Sequence, residues 1–174
     1  MEEDLKYYNR IMSIKEEVRE FLNNNQVAVV ATAYRGLPFA AAMYYFLDND
    51  FNFYFATKRN TDKYFNILAK QQAALVVGAG PKHISVQARG EVALVTGAPY
   101  KTMLKKLSRV IGKDKVHDWP VNKLKRMQSK LEVLNDPVIF KIKPQHLTFF
   151  NLDDRNFPAS LGSDHHQILP KKKS

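Results

Sequence analysis

Residues 27–57 read VAVVATAYRGLPFAAAMYYFLDNDFNFYFAT. Val27 to Ala33 is a short run of β-branched and small apolar residues, closed by the turn-forming Tyr34-Arg35-Gly36. Leu37 to Leu47 is a second extended segment, rich in alanine and aromatics, and Asp48-Asn49-Asp50 reads as a hairpin turn. Beyond it Phe51, Phe53 and Phe55 fall on one face of a third strand, with Asn52 and Tyr54 on the other. The stretch is a three-stranded antiparallel meander, and the small residues Ala40, Ala41 and Ala42 suit the tightly curved wall of a small barrel.

Working outward, residues from Glu2 to about Leu22 carry Leu5, Ile11, Ile14, Val18 and Phe21 at helical spacing, and Asn23-Asn24-Asn25 stops that helix. After the meander, Thr61 caps a short helix whose buried side is Tyr64, Phe65, Ile67 and Leu68. Ala73 to Ala79 predicts a fourth strand and Gly80-Pro81 a turn. His83 to Thr96 predicts a long fifth strand, bent at Arg89-Gly90. Pro99 suits the first turn of a helix running to about Val110, and a second helix covers Val121 to Leu131. Val138 to Ile142 and His146 to Asn151 read as separate closing strands with Pro144 between them. Six or seven strands in this order predict a closed or nearly closed antiparallel β-barrel with helices, an α+β fold. Residues 1–152 form one domain, and 153–174 are a polar tail without clear period, read as loop.

Charge, targeting and cysteine usage narrow the function. The chain has 174 residues, no cysteine and a formal charge of +10. Disulfides, thiolate metal sites and cysteine nucleophiles are therefore excluded. The acidic start Met1-Glu2-Glu3-Asp4 lacks the basic, then apolar, pattern of a secretory signal, and no apolar run reaches bilayer length. A cytoplasmic protein without a membrane span is expected. Between Lys101 and Lys130 lie ten basic residues against Asp114 and Asp118, or +8 of the total. Such a segment attracts polyanions, which makes nucleic acid a candidate partner; a solvated helical face is the plainer reading and the preferred one.

Thr57, Lys58, Arg59, Asn60, Thr61 and Lys63 cluster where the third strand passes into the short helix. Hydroxyls, cations and unpaired helix N–H groups at one point are what a phosphate dianion requires. A polar loop with a capped helix would explain Thr61 but not that density of donors. Tyr44 or Tyr45 could lie against a planar ring. Five scattered histidines do not make a metal site, although His165-His166 in the tail leaves a haem ligand open as a minor alternative. No P-loop, dinucleotide fingerprint or nucleophile elbow occurs.

In order and spacing, residues from Gln26 to Val95 resemble the pyridoxamine 5'-phosphate oxidase-like, FMN-binding split-barrel family. The shared features are the Gly-Leu-Pro turn, a strand of small and aromatic residues, an acidic hairpin, an aromatic strand ending in Thr57, Thr61-Asp62-Lys63 opening a helix, and a long strand with a central glycine. The resemblance implies a homodimer with FMN in a groove between subunits. It places the flavin ring on the backbone of Ala42-Met43-Tyr44 and the phosphate at Thr57 and the turn Thr61-Asp62-Lys63, to which the donor cluster adds Lys58. Ser85 stands where the oxidase proper has a glutamine. Asp62 replaces an arginine, no basic residue lies between Ala40 and Phe46, and the oxidase's C-terminal substrate motif has no match after Asn151. The expectation is a relative of the strict oxidase: an FMN-dependent oxidoreductase acting on a small molecule. The alternatives are a flavin-free binding or stress-related barrel, a deazaflavin-binding protein, and a nucleic-acid-binding protein using residues 101–130.

Overall fold

A computed structural model describes residues 2–78, 84–113, 137–151 and 165–169. The element order is α1 (Glu2–Asn24), β1 (Val27–Tyr34), β2 (Leu37–Leu47), β3 (Phe53–Thr57), α2 (Asp62–Ala69), β4 (Gln72–Val77), β5 (Ile84–Leu94), α3 (Ala98–Lys113), β6 (Val138–Asn151) and β7 (His165–Leu169). The sheet runs β3-β2-β1-β4-β5-β6-β7, and β3 also pairs with β6, which closes six antiparallel strands into a barrel. The expected split-barrel class is the one observed. The helix expected over residues 121–131 and the turn at Gly80-Pro81 lie outside the described residues.

Alternation builds the barrel. Along β1, β2, β4 and β5, buried residues such as Ala28, Val30, Met43, Tyr45, Leu75, Val77, Val86 and Ala88 point inward and alternate with more exposed ones. Arg35 and Gly36 both have positive φ, so the β1–β2 connection is a two-residue hairpin matched to the strands' twist. β6 is one 14-residue strand, not the two expected. Its buried series Phe140, Ile142, Pro144 resumes at Leu147 and Phe149, after a step of three. That step is a bulge, since Gly90 pairs with Pro144 and Arg89 with His146. Gly90 lets the chains meet there, because a Cβ on it would stand 2.0 Å from the Lys143 carbonyl oxygen. Proline thus marks a bend inside a strand.

The two halves of β6 have different neighbours. Val138–Ile142 pair with β3, whereas Leu147–Phe150 pair with β7. The tail therefore supplies a strand at 165–169 where sequence reading expected loop. Short strands of histidine, glutamine and leucine carry little period of their own; the open edge of β6 organises this one.

α1 and α2 close opposite ends of the barrel. Val18 and Leu22 enter the core, and the Tyr45 hydroxyl donates toward the carbonyls of Leu22 at 2.8 Å and Asn25 at 2.9 Å. The Arg19 guanidinium donates to the carbonyls of Asp48 and Asn49 and lies over the Phe51 ring. Phe51 itself has a positive φ and belongs to the turn, although its ring reaches the core, so β3 begins later than expected. At the other end α2 inserts Ile67, and Asn66 donates to the buried Thr32 hydroxyl. α3 lies outside, on a second cluster formed by Phe46, Tyr54 and Ile139. Among the described residues no helix is long and apolar enough to cross a membrane.

Candidate functional site

β3 parts from β2 after Phe55 but stays paired with β6 to Thr57, and this divergence makes the site. Within β2, β3 pairs only with Tyr45, Phe46 and Leu47, so among the described residues Leu37–Tyr44 has a strand partner on the β1 side alone. The backbone of Ala42-Met43-Tyr44 thus lies on the open flank beyond the last β2–β3 pair. Ala42 faces outward and is exposed, Met43 is a core residue, and Tyr44 packs partly under α3. A planar group resting there would meet backbone and Ala42, not the Met43 side chain.

Thr57 is 5% exposed at the end of β3. Its hydroxyl lies 3.0 Å from that of Thr61, which in turn donates to the Lys58 carbonyl at 3.0 Å. With the Thr61 proton so used, Thr57 is the donor between the two hydroxyls. Thr61 occupies the N-cap position of α2, and its carbonyl accepts from the N–H groups of Tyr64 and Phe65. Its side chain makes no capping bond; the expected cap is right in place but not in its hydrogen bond. The N–H groups of Asp62 and Lys63 are left in the first turn, where a helix has no internal acceptor for them.

The Lys63 ammonium lies 5.7 Å from the Phe39 ring centroid, over the rim of the barrel. Burial lowers its pKa, against which neighbouring Asp62 acts weakly. A half-desolvated cation beside open N–H groups attracts an anion more strongly than a solvated one. Lys58 is exposed. Arg59 donates to the Tyr64 hydroxyl at 3.1 Å and covers its ring, so its charge is partly committed.

The structure joins Thr57, Thr61 and the Lys58 carbonyl by hydrogen bonds at the β3–α2 junction and sets Lys63 against Phe39 of β2. It does not bring Ser85 to them. Ser85 is half-buried on β5, opposite Phe150, and β1 and β4 lie between it and β2. Three strand spacings amount to about 14 Å. Sequence reading also misjudged α2: Phe65 is 59% exposed and Leu68 50%, while Asn66 is buried. Phe39, the platform beneath Lys63, gave no signal beyond its place in an apolar strand.

The family model for pyridoxamine 5'-phosphate oxidase matches residues 14–151. The chain belongs to this family. No curated protein sequence matches it. Solved structures share the fold at low identity. A Listeria innocua protein assigned as a pyridoxamine 5'-phosphate oxidase aligns with a TM-score of 0.60 and 16% identity, over 79% of this chain and 98% of that one. An FAD-binding protein from Mesorhizobium loti gives 0.58 and 18%, over 78% and 90%. A haem-binding protein from Mycobacterium smegmatis gives 0.61 and 13%, over 88% and 57%. Proteins named for FAD binding and for haem binding thus share this barrel fold, and the choice for this chain falls to its own residues.

Proposed function

We propose that this family member is a cytoplasmic, homodimeric FMN-binding oxidoreductase for a small molecule. The observation that carries the reading is the cradle at the β3–α2 junction, where the half-buried Lys63 and the open first-turn N–H groups of α2 stand near β2 residues that have no β3 partner. They fit a terminal phosphate by donor type and charge, and the neighbouring strand offers a backbone floor for a ring. FMN, when bound, supplies the two-electron redox chemistry. The protein's part is to hold the phosphate through Lys63 and the helix terminus and to lay the ring along Ala42–Tyr44.

A dimer completes this arrangement. The outward residues Val27, Val29, Ala31, Ala40, Ala42, Ala74 and Val76 form a continuous apolar face on β1, β2 and β4, with Val27 and Val29 each 39% exposed. A second copy on that face buries it. Two features favour a flavin-free barrel: Asp62 sets a carboxylate in the first turn of α2, and both threonine protons are already donated, that of Thr57 to Thr61 and that of Thr61 to the Lys58 carbonyl. Titration of the purified protein with FMN and riboflavin separates the readings. The proposal requires saturable FMN binding that depends on the phosphate.

A further inference from the structure

We propose that the outward face of α3 docks on the phosphate backbone of duplex nucleic acid, at a surface separate from the cofactor cradle. Met103, Leu104, Leu107 and Val110 all turn onto the cluster over β2, β3 and β6, and Leu107 is fully buried. At about 3.6 residues per turn the opposite face is left to Lys101, Thr102, Lys105, Lys106 and Arg109, each of them exposed. No acidic residue occurs between Ala98 and Lys113. Lys101, Lys105 and Arg109 recur every fourth residue, and Lys113 continues the spacing in sequence.

An ordinary solvated helix face mixes signs, and like charges four residues apart destabilise a helix. Here the repulsion has no internal relief. Among the described residues no carboxylate lies within ion-pair distance of these four cations, and Lys106 instead lies 5.5 Å from the centroid of the Phe46 ring. An external polyanion relieves it. Length argues against a small anion, because the stripe from Lys101 to Arg109 spans about 12 Å at 1.5 Å per residue. Membrane docking would need free apolar residues beside the basic ones, and those of α3 are already spent on packing. Single strands are held largely by stacking on aromatics, which this face lacks. A duplex, with one negative charge per about 1.7 Å of axis, needs only what α3 has. The downstream residues to Lys130 add charge of the same sign.

The test is fluorescence anisotropy of a labelled random-sequence DNA duplex with the full chain, over a series of salt concentrations. The parent binds, with affinity falling linearly on a log–log plot against salt. Replacing Lys101, Lys105 and Arg109 together by glutamine weakens binding at least tenfold at low salt and flattens the slope by about two to three units, near 0.9 per lost phosphate contact. Removing Lys15, Lys70 and Lys143, which takes the same charge from other elements, changes affinity less than about threefold on the same ground. Glutamine favours helix, so the melting temperature holds or rises; Lys105→Gln alone, with about one unit of slope, serves as the milder variant. Equal losses in the two triple variants would assign the binding to net charge and overturn the proposal. So would a parent that binds no duplex, or one that prefers phosphatidylserine vesicles to it.

Discussion

Lys63 is placed by two sequence-near features, the end of β3 and the start of α2, and its environment by a third that is distant in sequence, Phe39 on β2. Charge-assisted contacts to phosphate contribute about 1.5–3 kcal/mol each. Lys63→Ala therefore lowers FMN affinity by about tenfold to a hundredfold, and leaves the weaker binding of riboflavin nearly unchanged, as read by quenching of flavin fluorescence. Lys58→Ala has a smaller effect because that side chain is exposed, and Arg59→Ala has the least because Arg59 is engaged by Tyr64. A larger loss at Lys58 than at Lys63 would shift the phosphate by half a turn. Thr57, Thr61 and Lys63 were legible in sequence because a strand end and a helix start fall within seven residues. The pairing of the threonine hydroxyls was not, since it depends on the exact course of residues 58–60. Nor was the separation of Ser85, which follows from strand order.

At the level of elements, β1 and β2 were legible almost to the residue, because hydrophobic pattern and turn chemistry agree there, whereas β3 starts two residues later than Phe51. β6 was not: Pro144 ends strands in general, and only the pairing with Gly90 shows that a bulge accommodates it. Gly90→Ala drives a methyl into the Lys143 carbonyl and costs about 2–4 kcal/mol, measurable as a shift in urea midpoint; the same change at Gly36, around which there is open space, costs less despite its positive φ. α2 misled because two large apolar residues, Phe65 and Leu68, face outward while Asn66 is held inside by Thr32. The β2–β3 turn contains a second tertiary device. Burial works against ionisation of Asp48, yet hydrogen bonds from the Asn52 side chain and N–H, the Tyr54 hydroxyl and the Asp50 N–H outweigh it and depress its pKa. Tyr54 moves the opposite way, to about 12, through burial and then its bond to Asp48. A carboxylate whose folded pKa is below its unfolded value contributes fully above the unfolded value, and that stability drains away as pH falls through the folded one. Asp48→Asn therefore lowers stability at neutral pH by about 1–2 kcal/mol and makes the denaturation midpoint less sensitive to acid; an unchanged acid slope would remove Asp48 from this role.

For the whole molecule, the closed barrel was legible from strand count and spacing, and the family from the order of features over residues 26–95. The tail strand and the closure of β3 on β6 were not, because both are pairings between segments far apart in sequence. The apolar outer face of β1, β2 and β4 predicts a dimer by light scattering. Val29→Glu or Ala42→Glu, each placing a charge in that face, yields a folded monomer with greatly weakened FMN binding, since the groove between copies is lost. Neutralising Lys105 and Lys106 leaves FMN affinity nearly unchanged, because both charges are exposed and screened by salt. The central claim is that this barrel holds FMN by its phosphate between two copies of the chain. Calorimetric titration of the purified parent protein with FMN, and in parallel with riboflavin, measures it most directly. The account predicts one FMN per chain, bound at least tenfold more tightly than riboflavin by the charge-assisted contact, by a species with the mass of a dimer. Absence of saturable FMN binding, or equal affinity for FMN and riboflavin, would contradict it.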